Sequence, residues 1–334
     1  MTVPTDQAVV VAGDGNGAVS AATAAIYTAG LSKQYGRAVA LADLTMAVPR
    51  GEIFGFLGPN GAGKTTAVKL LVGLARATAG DAFVLGARAG DRETRRRIGY
   101  LPELFRYQDW LSAREVLNFH HRLAGLPREA QGRDVQEALR LVGLAQRSGD
   151  RVAGFSKGMQ QRLGLGVALL GRPDLVLLDE PTSALDPVGR HDVREIIRRL
   201  KARGTAVFLN SHLLSEVELI CDRVAIVNRG TVIALGTMDA VLGVASSVRV
   251  RVTGLAPDAF AELDSFGDVQ VEANWVIVRG ITEDTVPDLV EHLMRLGGRV
   301  YAVEPRHETL EDRFLQLLKG AEGADPDHRP SDPA

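Results

Sequence analysis

Short apolar runs alternate with polar turns along the first part of the chain. Between Ala24 and Leu57 the runs have strand length, and turns fall at Tyr35-Gly36-Arg37 and Val48-Pro49-Arg50-Gly51. This pattern predicts strands joined by hairpins. Residues 52–57 form the last apolar run, and the helical spacing of residues 65–73 predicts a helix after the glycine-rich turn that follows.

The pattern then becomes helical. Ser112 and Glu115 have the spacing of a capping box, which predicts a helix over about residues 113–123. A second helix is predicted over residues 131–142, because a glycine follows its last apolar position. These segments predict an α-helical subdomain of about residues 92–171, inserted into the strand-rich chain.

Two later apolar runs predict parallel strands that are buried on both faces. Leu175 to Leu178 leads directly into Asp179 and Glu180, and residues 205–209 lead into Asn210-Ser211-His212. Two acids at the end of a buried strand are costly unless they serve a cation or a reaction. Since ligands bind at the carboxyl ends of strands in open α/β sheets, these acids are candidate functional residues.

Toward the C-terminus the composition shifts, which predicts a second domain. Alternating valines and arginines at 248–252 predict a half-exposed strand, and the elements from there on are predicted in the ferredoxin-like order β-α-β-β-α-β. The predicted domains are a main domain at residues 23–243 and a C-terminal α+β domain at residues 246–320. The terminal segments 1–22 and 321–334 are predicted to be disordered.

Composition narrows the classes of protein that the chain fits. Its 334 residues are 46% hydrophobic and 24% charged, which is ordinary for a globular protein of two domains. The single cysteine, Cys221, excludes an internal disulfide and a metal site built on several thiolates. A net charge of -2 argues against a nucleic-acid partner, and the run Arg95-Arg96-Arg97 is interpreted first as a solvated helix face and second as a phosphate contact.

Membrane spans and secretion signals are not indicated. No window has the roughly 18 unbroken apolar residues of a membrane span. No lysine or arginine precedes Lys33, so the charged start of a secretory signal is missing. The sequence therefore predicts a cytoplasmic protein whose membrane association comes through a partner.

The turn between the predicted strand and helix has the spacing of a phosphate-binding loop, with a glycine, four residues and then Gly-Lys-Thr. Glycines let the backbone turn until several N–H groups face one anion, and the helix that follows presents its positive end. The lysine adds a charge for the terminal phosphates, and the threonine hydroxyl can bind magnesium. A bare glycine-rich turn, the alternative, needs neither side chain. The predicted phosphate-binding residues are Gly58, Pro59, Asn60, Gly61, Ala62, Gly63, Lys64, Thr65 and Thr66.

Two further side chains each allow two interpretations. Tyr35 stands upstream of the phosphate-binding loop and either packs at its turn or stacks on an adenine ring. A lone histidine at a strand end is often structural, but His212 follows a strand as Asp179 and Glu180 do, which favours a functional role.

Taken together, these motifs resemble the ATP-binding subunit of an ABC transporter. The resemblance covers about residues 24–243, and the C-terminal extension is of the kind found on subunits that serve drug, antibiotic or polysaccharide exporters. Residues 58–66 are similar to the Walker A loop and residues 175–179 to Walker B. Further matches are Phe155 to Gln160 with the signature motif, Ser183 to Asp186 with the D-loop, His212 with the switch histidine and Tyr35 with the adenine-stacking aromatic.

The resemblance implies a fold, cofactors and roles for residues. The fold would be an α/β P-loop NTPase core with an N-terminal antiparallel β-subdomain and an inserted α-helical subdomain. ATP and Mg2+ would be the cofactors. Lys64 and His212 would hold the terminal phosphate, and Glu180 would act as general base or orient the attacking water. Thr65 and Asp179 would place magnesium.

The resemblance also implies partners. Two copies would meet head to tail, so that Ser156 and Gly158 of one copy reach the phosphate held by Lys64 of the other, with Asp186 of the D-loop also at the ATP site. ATP would close this homodimer and hydrolysis would reopen it, which would power export through a separate integral membrane permease. The subunit would then lie on the inner face of the cell membrane.

Two other functions are alternatives to export. One is a soluble ABC ATPase acting on DNA or ribosomes, but the chain has neither a long coiled-coil insertion between the phosphate-binding loop and the signature motif nor a second ATP site. The other is a regulatory nucleotide-binding protein without hydrolysis, and the presence of both Glu180 and His212 argues against it.

Two positions depart from the family pattern. Glu103 stands where many members have the glutamine of the Q-loop, and Lys157 stands in the signature motif where a glycine is commoner. A glutamate can still reach magnesium through an oxygen, so Glu103 stays a candidate metal ligand. It also adds negative charge near the phosphates and cannot donate a hydrogen bond when ionised, which puts the usual water-positioning role in doubt.

Overall fold

The computed structural model describes residues 20–183, 185–242, 247–306 and 309–323. The predicted disordered segments 1–22 and 321–334 lie almost wholly outside the described residues. The chain divides into two compact units, one ending at Met238 and the other spanning Asp239–Gly320. No helix of the described part of the chain combines the length and apolarity that crossing a bilayer requires.

The first unit alternates strands and helices. Its strands are β1 (Ile26–Tyr35), β2 (Ala38–Val48), β3 (Ile53–Leu57), β4 (Ala79–Val84), β5 (Ala87–Arg88), β6 (Ile98–Leu101), β7 (Leu175–Asp179), β8 (Ala206–Asn210), β9 (Arg223–Asn228) and β10 (Thr231–Thr237). Its helices are α1 (Lys64–Leu71), α2 (Arg92–Arg95), α3 (Ala113–Leu123), α4 (Gln131–Leu141), α5 (Lys157–Ala168), α6 (Pro187–Ala202) and α7 (Leu214–Ile220), and α8 (Met238–Leu242) begins at its end.

One large mixed sheet runs through this unit in the order β5-β4-β1-β2-β10-β9-β3-β8-β7-β6. The strands β9, β3, β8, β7 and β6 pair in parallel, whereas β1, β2, β4 and β5 pair antiparallel. The predicted α/β core and the predicted N-terminal antiparallel strands are therefore both present. Sequence reasoning missed β4, β5, β9 and β10.

The parallel strands are buried on both faces, as their continuous apolar sequence requires. Phe54 on β3 stacks on Phe208 of β8, with ring centroids 5.8 Å apart, and Phe56 packs against the same ring. Because β3, β8 and β7 are neighbours and run the same way, their carboxyl ends meet at one edge of the sheet. The fold thus brings the phosphate-binding loop beside Asp179, Glu180 and His212.

The helices α3, α4 and α5 pack on one another in the middle of the sequence. The predicted helix over residues 113–123 is confirmed, and both hydrogen bonds of the Ser112–Glu115 capping box are present. His121 on α3 and Asp134 on α4 form a buried pair, with Nε2 3.1 Å from Oδ2. The strand β6 lies inside the range 92–171 but pairs with β7, so that part of the range belongs to the large sheet.

The second unit has its own sheet and core. Its strands are β11 (Ser247–Thr253), β12 (Asp268–Glu272), β13 (Trp275–Arg279) and β14 (Arg299–Arg306), which pair antiparallel in the order β12-β13-β11-β14. A 3-10 helix at Pro257–Phe266 stands where the first α-helix was predicted, and α9 (Val286–Arg295) and α10 (Leu310–Gly323) follow. The predicted order of elements, β-helix-β-β-helix-β, is otherwise present. One face of the sheet is buried by apolar residues that include Val250, Leu263 and Leu289.

Candidate functional site

The phosphate loop (residues 58–66) lies between β3 and the first turn of α1, and close backbone approaches require two of its glycines. Gly63 precedes α1 with a φ of 99°, a left-handed conformation that side chains disfavour. A Cβ there would lie 2.3 Å from the Ala40 oxygen. A Cβ on Gly58 would lie 2.3 Å from the Val227 oxygen. The loop therefore keeps a tight turn at the N-terminus of α1, where backbone N–H groups favour an anion.

Lys64 folds back over this loop. Its Nζ donates to the Gly58 oxygen at 2.7 Å and to the Pro59 oxygen at 3.2 Å. Burial lowers the pKa of Lys64, while the charges of Glu180, Asp179 and Glu103 act in the opposite direction. A cleft of about 230 Å³ opens beside the ammonium group and is lined by Ala40, Asn60, Gly61, Gly63, Lys64, Thr65 and Thr66.

Asp179 is held by a neighbour on the adjacent strand. It pairs in register with Asn210, whose Nδ2 donates to Asp179 Oδ1 at 2.5 Å. Both side chains are buried. Burial raises the pKa of Asp179, and the charges of Glu103 and Glu180 add to the effect, while the Asn210 hydrogen bond opposes it. The Asn210 hydrogen bond thus fixes the orientation of the Asp179 carboxylate at the end of β7.

Glu180 follows in an unusual backbone conformation, with a φ of 53°. A positive φ at a non-glycine residue costs free energy and is frequent at functional sites. The Glu180 N–H donates to the Asn210 oxygen at 2.9 Å, and His212 Nδ1 lies 2.7 Å from Glu180 Oε2. The histidine is more than half exposed and the carboxylate is buried. The structure thus places the predicted base and the predicted switch histidine in direct contact.

Glu103 lies two residues beyond the end of β6, the strand that pairs with β7. Its side chain is exposed. Its negative charge acts on three groups of the site. It opposes the lowering of the pKa of Lys64 and adds to the raised pKa of Asp179. Burial, with the charges of Asp179 and Glu103, raises the pKa of Tyr100 to about 12. Within the described ranges, no three histidine, cysteine or acidic side chains form a group that could hold a metal ion.

Ser156 is the N-cap of α5, which begins at Lys157. Its side chain accepts a hydrogen bond from the Met159 N–H at 3.3 Å, the geometry of an N-cap. Lys157 and Gly158 follow in the first turn. Farther along the same helix, Gln161 Nε2 donates to the Pro181 oxygen at 2.9 Å, directly after the Asp179–Glu180 pair. This buried contact connects α5 to the segment that follows β7 and its two acids.

The remaining predicted site residues lie at the protein surface or at the N-cap of a helix. Tyr35 ends β1 with 49% of its surface exposed, and Lys33 Nζ lies 4.7 Å from its ring centroid, so its ring is not part of the core. Asp186 caps α6 by accepting the Gly189 N–H at 2.7 Å. Ser183 Oγ donates to the Glu180 oxygen at 3.1 Å, while Ala184 of the D-loop lies outside the described residues.

The arginine run is a solvated face in the structure. Arg95, Arg96 and Arg97 are exposed, and the last two pair with Glu93 at 2.8 Å and with Asp174 at 2.6 Å. Exposed ion pairs contribute about 0–1 kcal/mol each. The structure therefore favours the interpretation of these three arginines as a solvated face over a phosphate contact.

Sequence reasoning missed Asn210 and Gln161. Asn210 could have been found, because it closes the predicted strand next to the one that ends in Asp179 and Glu180, and a side chain at that position faces the acids. Gln161 carried no such signal, since its partner is a backbone oxygen twenty residues away. Both residues hold other site residues in place through hydrogen bonds.

Comparison with known proteins gives consistent matches. The ABC transporter family profile matches residues 41–183. An ABC transporter ATP-binding protein of Synechocystis sp. is 41% identical over 285 residues, 84% of this chain and 78% of that protein. The linearmycin resistance ATP-binding protein LnrL of Bacillus subtilis is 34% identical over 298 residues, 86% of this chain and 96% of LnrL. A solved structure of the ATP-binding subunit of an ABC transporter is similar with a TM-score of 0.60 and 34% identity, over 65% of this chain and 91% of that one.

Proposed function

The chain belongs to the ABC transporter family as an ATP-binding subunit, and we propose that it hydrolyses ATP to power export through a separate membrane permease. The observation that carries the proposal is the contact between Glu180 and His212 at the strand end beside the phosphate loop. The name of LnrL connects that relative to resistance against an antibiotic, which supports export of a drug-like compound here. The permease would hold the subunit at the inner face of the membrane.

The residues present fit ATP with magnesium. Gly63 lets the backbone turn tightly at the N-terminus of α1, and Lys64 and Thr65 line the cleft beside it. A threonine hydroxyl and a carboxylate are the hard oxygen ligands that magnesium prefers, so Thr65 and Asp179 would hold it, with Glu103 as the third candidate. The bound metal would supply positive charge to the phosphates.

Each side chain has a specific task in the proposed reaction. Lys64 exchanges its contacts with the Gly58 and Pro59 oxygens for contacts with phosphate oxygens. Glu180 accepts the proton of the attacking water. His212 contacts Oε2 of Glu180 until the histidine turns to the terminal phosphate. Tyr35 stacks on the adenine ring, which its exposure permits.

A second copy of the chain completes each site in this proposal. The N-terminus of α5, with Ser156 as its cap and Gly158 in the first turn, is a place where an anion is stabilised. In the head-to-tail homodimer, this helix N-terminus meets the phosphate that Lys64 of the other copy holds. Asp186 also lies at this ATP site. The soluble DNA- or ribosome-acting alternative has no supporting match among the relatives named above.

Changing Glu103 to Gln is expected to leave at least partial ATPase activity. A glutamine keeps the size of the side chain and an oxygen for magnesium while removing one negative charge near the phosphates. Phosphate release under saturating Mg2+ and ATP measures the effect, with unsubstituted protein as reference. Complete loss of activity would mean that the carboxylate has a role that an amide cannot fill.

The C-terminal unit is proposed to support assembly. It has its own buried core, with Val248, Val250 and Leu293 among its most buried side chains. A chain ending at Gly243 is therefore expected to bind ATP with unchanged affinity but to associate less well with a second copy and with the permease. Nucleotide titration and sedimentation of both chains give the two readouts, and identical assembly of the shortened chain contradicts the proposal.

A further inference from the structure

Two exposed charges of opposite sign stand where the family pattern has uncharged residues. Glu103 replaces a glutamine and Lys157 replaces a glycine. Across the part of the chain that the structure describes, neither side chain makes a hydrogen bond or an ion pair.

Lys157 stands at the wrong end of its helix for a cation. It is the first residue of α5, where the helix dipole is positive, and the first turn contains no acidic residue to compensate. Its side chain is exposed, so no packing requirement explains the lysine. A glycine or an acidic residue would suit this position better within a single copy.

Glu103 adds a third negative charge to a crowded site. Its charge adds to the raised pKa of Asp179, whose side chain is already buried beside Glu180. Lys64 is the cation that counters these acids within one copy. The Glu103 carboxylate is exposed and has two oxygens, so it can meet a cation of a second copy even where one oxygen faces magnesium.

We propose that Lys157 of one copy forms an ion pair with Glu103 of the second copy when the two close over ATP. The inference rests on the proposed head-to-tail homodimer, in which Ser156, the neighbour of Lys157, meets the phosphate held by Lys64 of the other copy. Glu103 follows β6, the neighbour of β7, so it lies at the sheet edge where β7 of that other copy ends in its acids. The two-fold symmetry of such a dimer makes the pair twice. Each pair joins two exposed, opposite charges that have no hydrogen-bond or ion-pair partner among the described residues of their own copies.

Charge reversal in mixed copies tests the pair directly. Glu103→Lys and Lys157→Glu are made separately in the Glu180→Gln background, each with its own fluorescent label, and ATP-dependent dimerisation is followed by sedimentation. Each variant alone places like charges at both contacts, so its dimer is expected to dissociate roughly 10-fold or more readily than the Glu180→Gln parent. A mixture of the two variants restores opposite charges at both contacts, so mixed dimers form at close to the parent affinity.

The mixture distinguishes an ion pair between copies from an ion pair within one copy. A pair within one copy would be restored only if both substitutions were made in the same chain, whereas the mixture has them in different chains. Lys69→Glu reverses the charge of another exposed lysine, on α1, and is expected to behave as the parent does in every mixture. Raising the salt concentration should reduce the difference between the single variants and the parent. Unfolding temperatures without ATP should match, because both changes are on the surface.

Two failures have different meanings. If the Glu180→Gln parent itself does not dimerise with ATP, the proposed head-to-tail dimer is wrong, and the pair falls with it. If the parent dimerises but the single variants do so equally well, or the mixture is no better than either variant alone, the dimer stands and the ion pair is overturned.

Discussion

Replacing Glu180 by Gln is expected to reduce ATP hydrolysis by about 10²- to 10⁴-fold, the range for loss of a general base, while ATP binding changes little. The amide has the shape of the carboxylate but cannot take a proton from water. The backbone contact with the Asn210 oxygen does not involve the side chain and should persist. With hydrolysis blocked, the ATP-bound homodimer should accumulate.

Phosphate release and light scattering on a sizing column measure the two effects. Glu103→Gln is the matched control, because it makes the same chemical change on a second carboxylate that acts on the same Lys64. The control is expected to keep at least partial activity and to show no accumulation of the dimer. Hydrolysis at the normal rate by the Glu180 variant would show that another group takes the proton.

Replacing Lys64 by Ala is expected to remove measurable nucleotide binding. Hydrogen bonds to a charged group contribute about 1.5–3 kcal/mol each, so the loss of one contact alone weakens binding by roughly 10- to 100-fold. Lys64 also faces Glu180, Asp179 and Glu103, and without it their charges would repel the phosphates.

Titration with a fluorescent ATP analogue gives the affinity. Lys69→Ala serves as control, since it truncates an exposed lysine on the same helix, outside the phosphate loop. The control should bind ATP as the unsubstituted protein does. Unchanged affinity in the Lys64 variant would contradict the assignment of the phosphate loop.

The sequence predicted the elements whose causes are local. The capping box of Ser112 and Glu115 depends on two residues three positions apart, so its signal is complete within one turn. The strand at 175–179 is predictable because four consecutive apolar residues suit a strand buried on both faces. The strands β4 and β5 lacked such a signal, since only the last two residues of β4 are buried and β5 has only two residues.

Some functional assignments still rest on the family resemblance. The stacking of Tyr35 on adenine, the meeting of Ser156 with the phosphate of a second copy, and the metal contacts of Thr65 and Glu103 stay predictions. Each proposed site is completed by residues of two copies, so the contact of Ser156 with the phosphate forms only in the homodimer.

The sequence by itself determined the phosphate loop, the buried strands β3, β7 and β8 and the acids at the end of β7, because spacing and apolar runs act over a few residues. Only the tertiary structure decided which groups touch. Asn210 reaches Asp179 and His212 reaches Glu180 because β8 lies beside β7 in a fixed register, although about thirty residues separate the partners. The need for glycine at 63 likewise comes from Ala40, on another strand. Such contacts depend on strand pairing between distant segments, which local spacing does not encode.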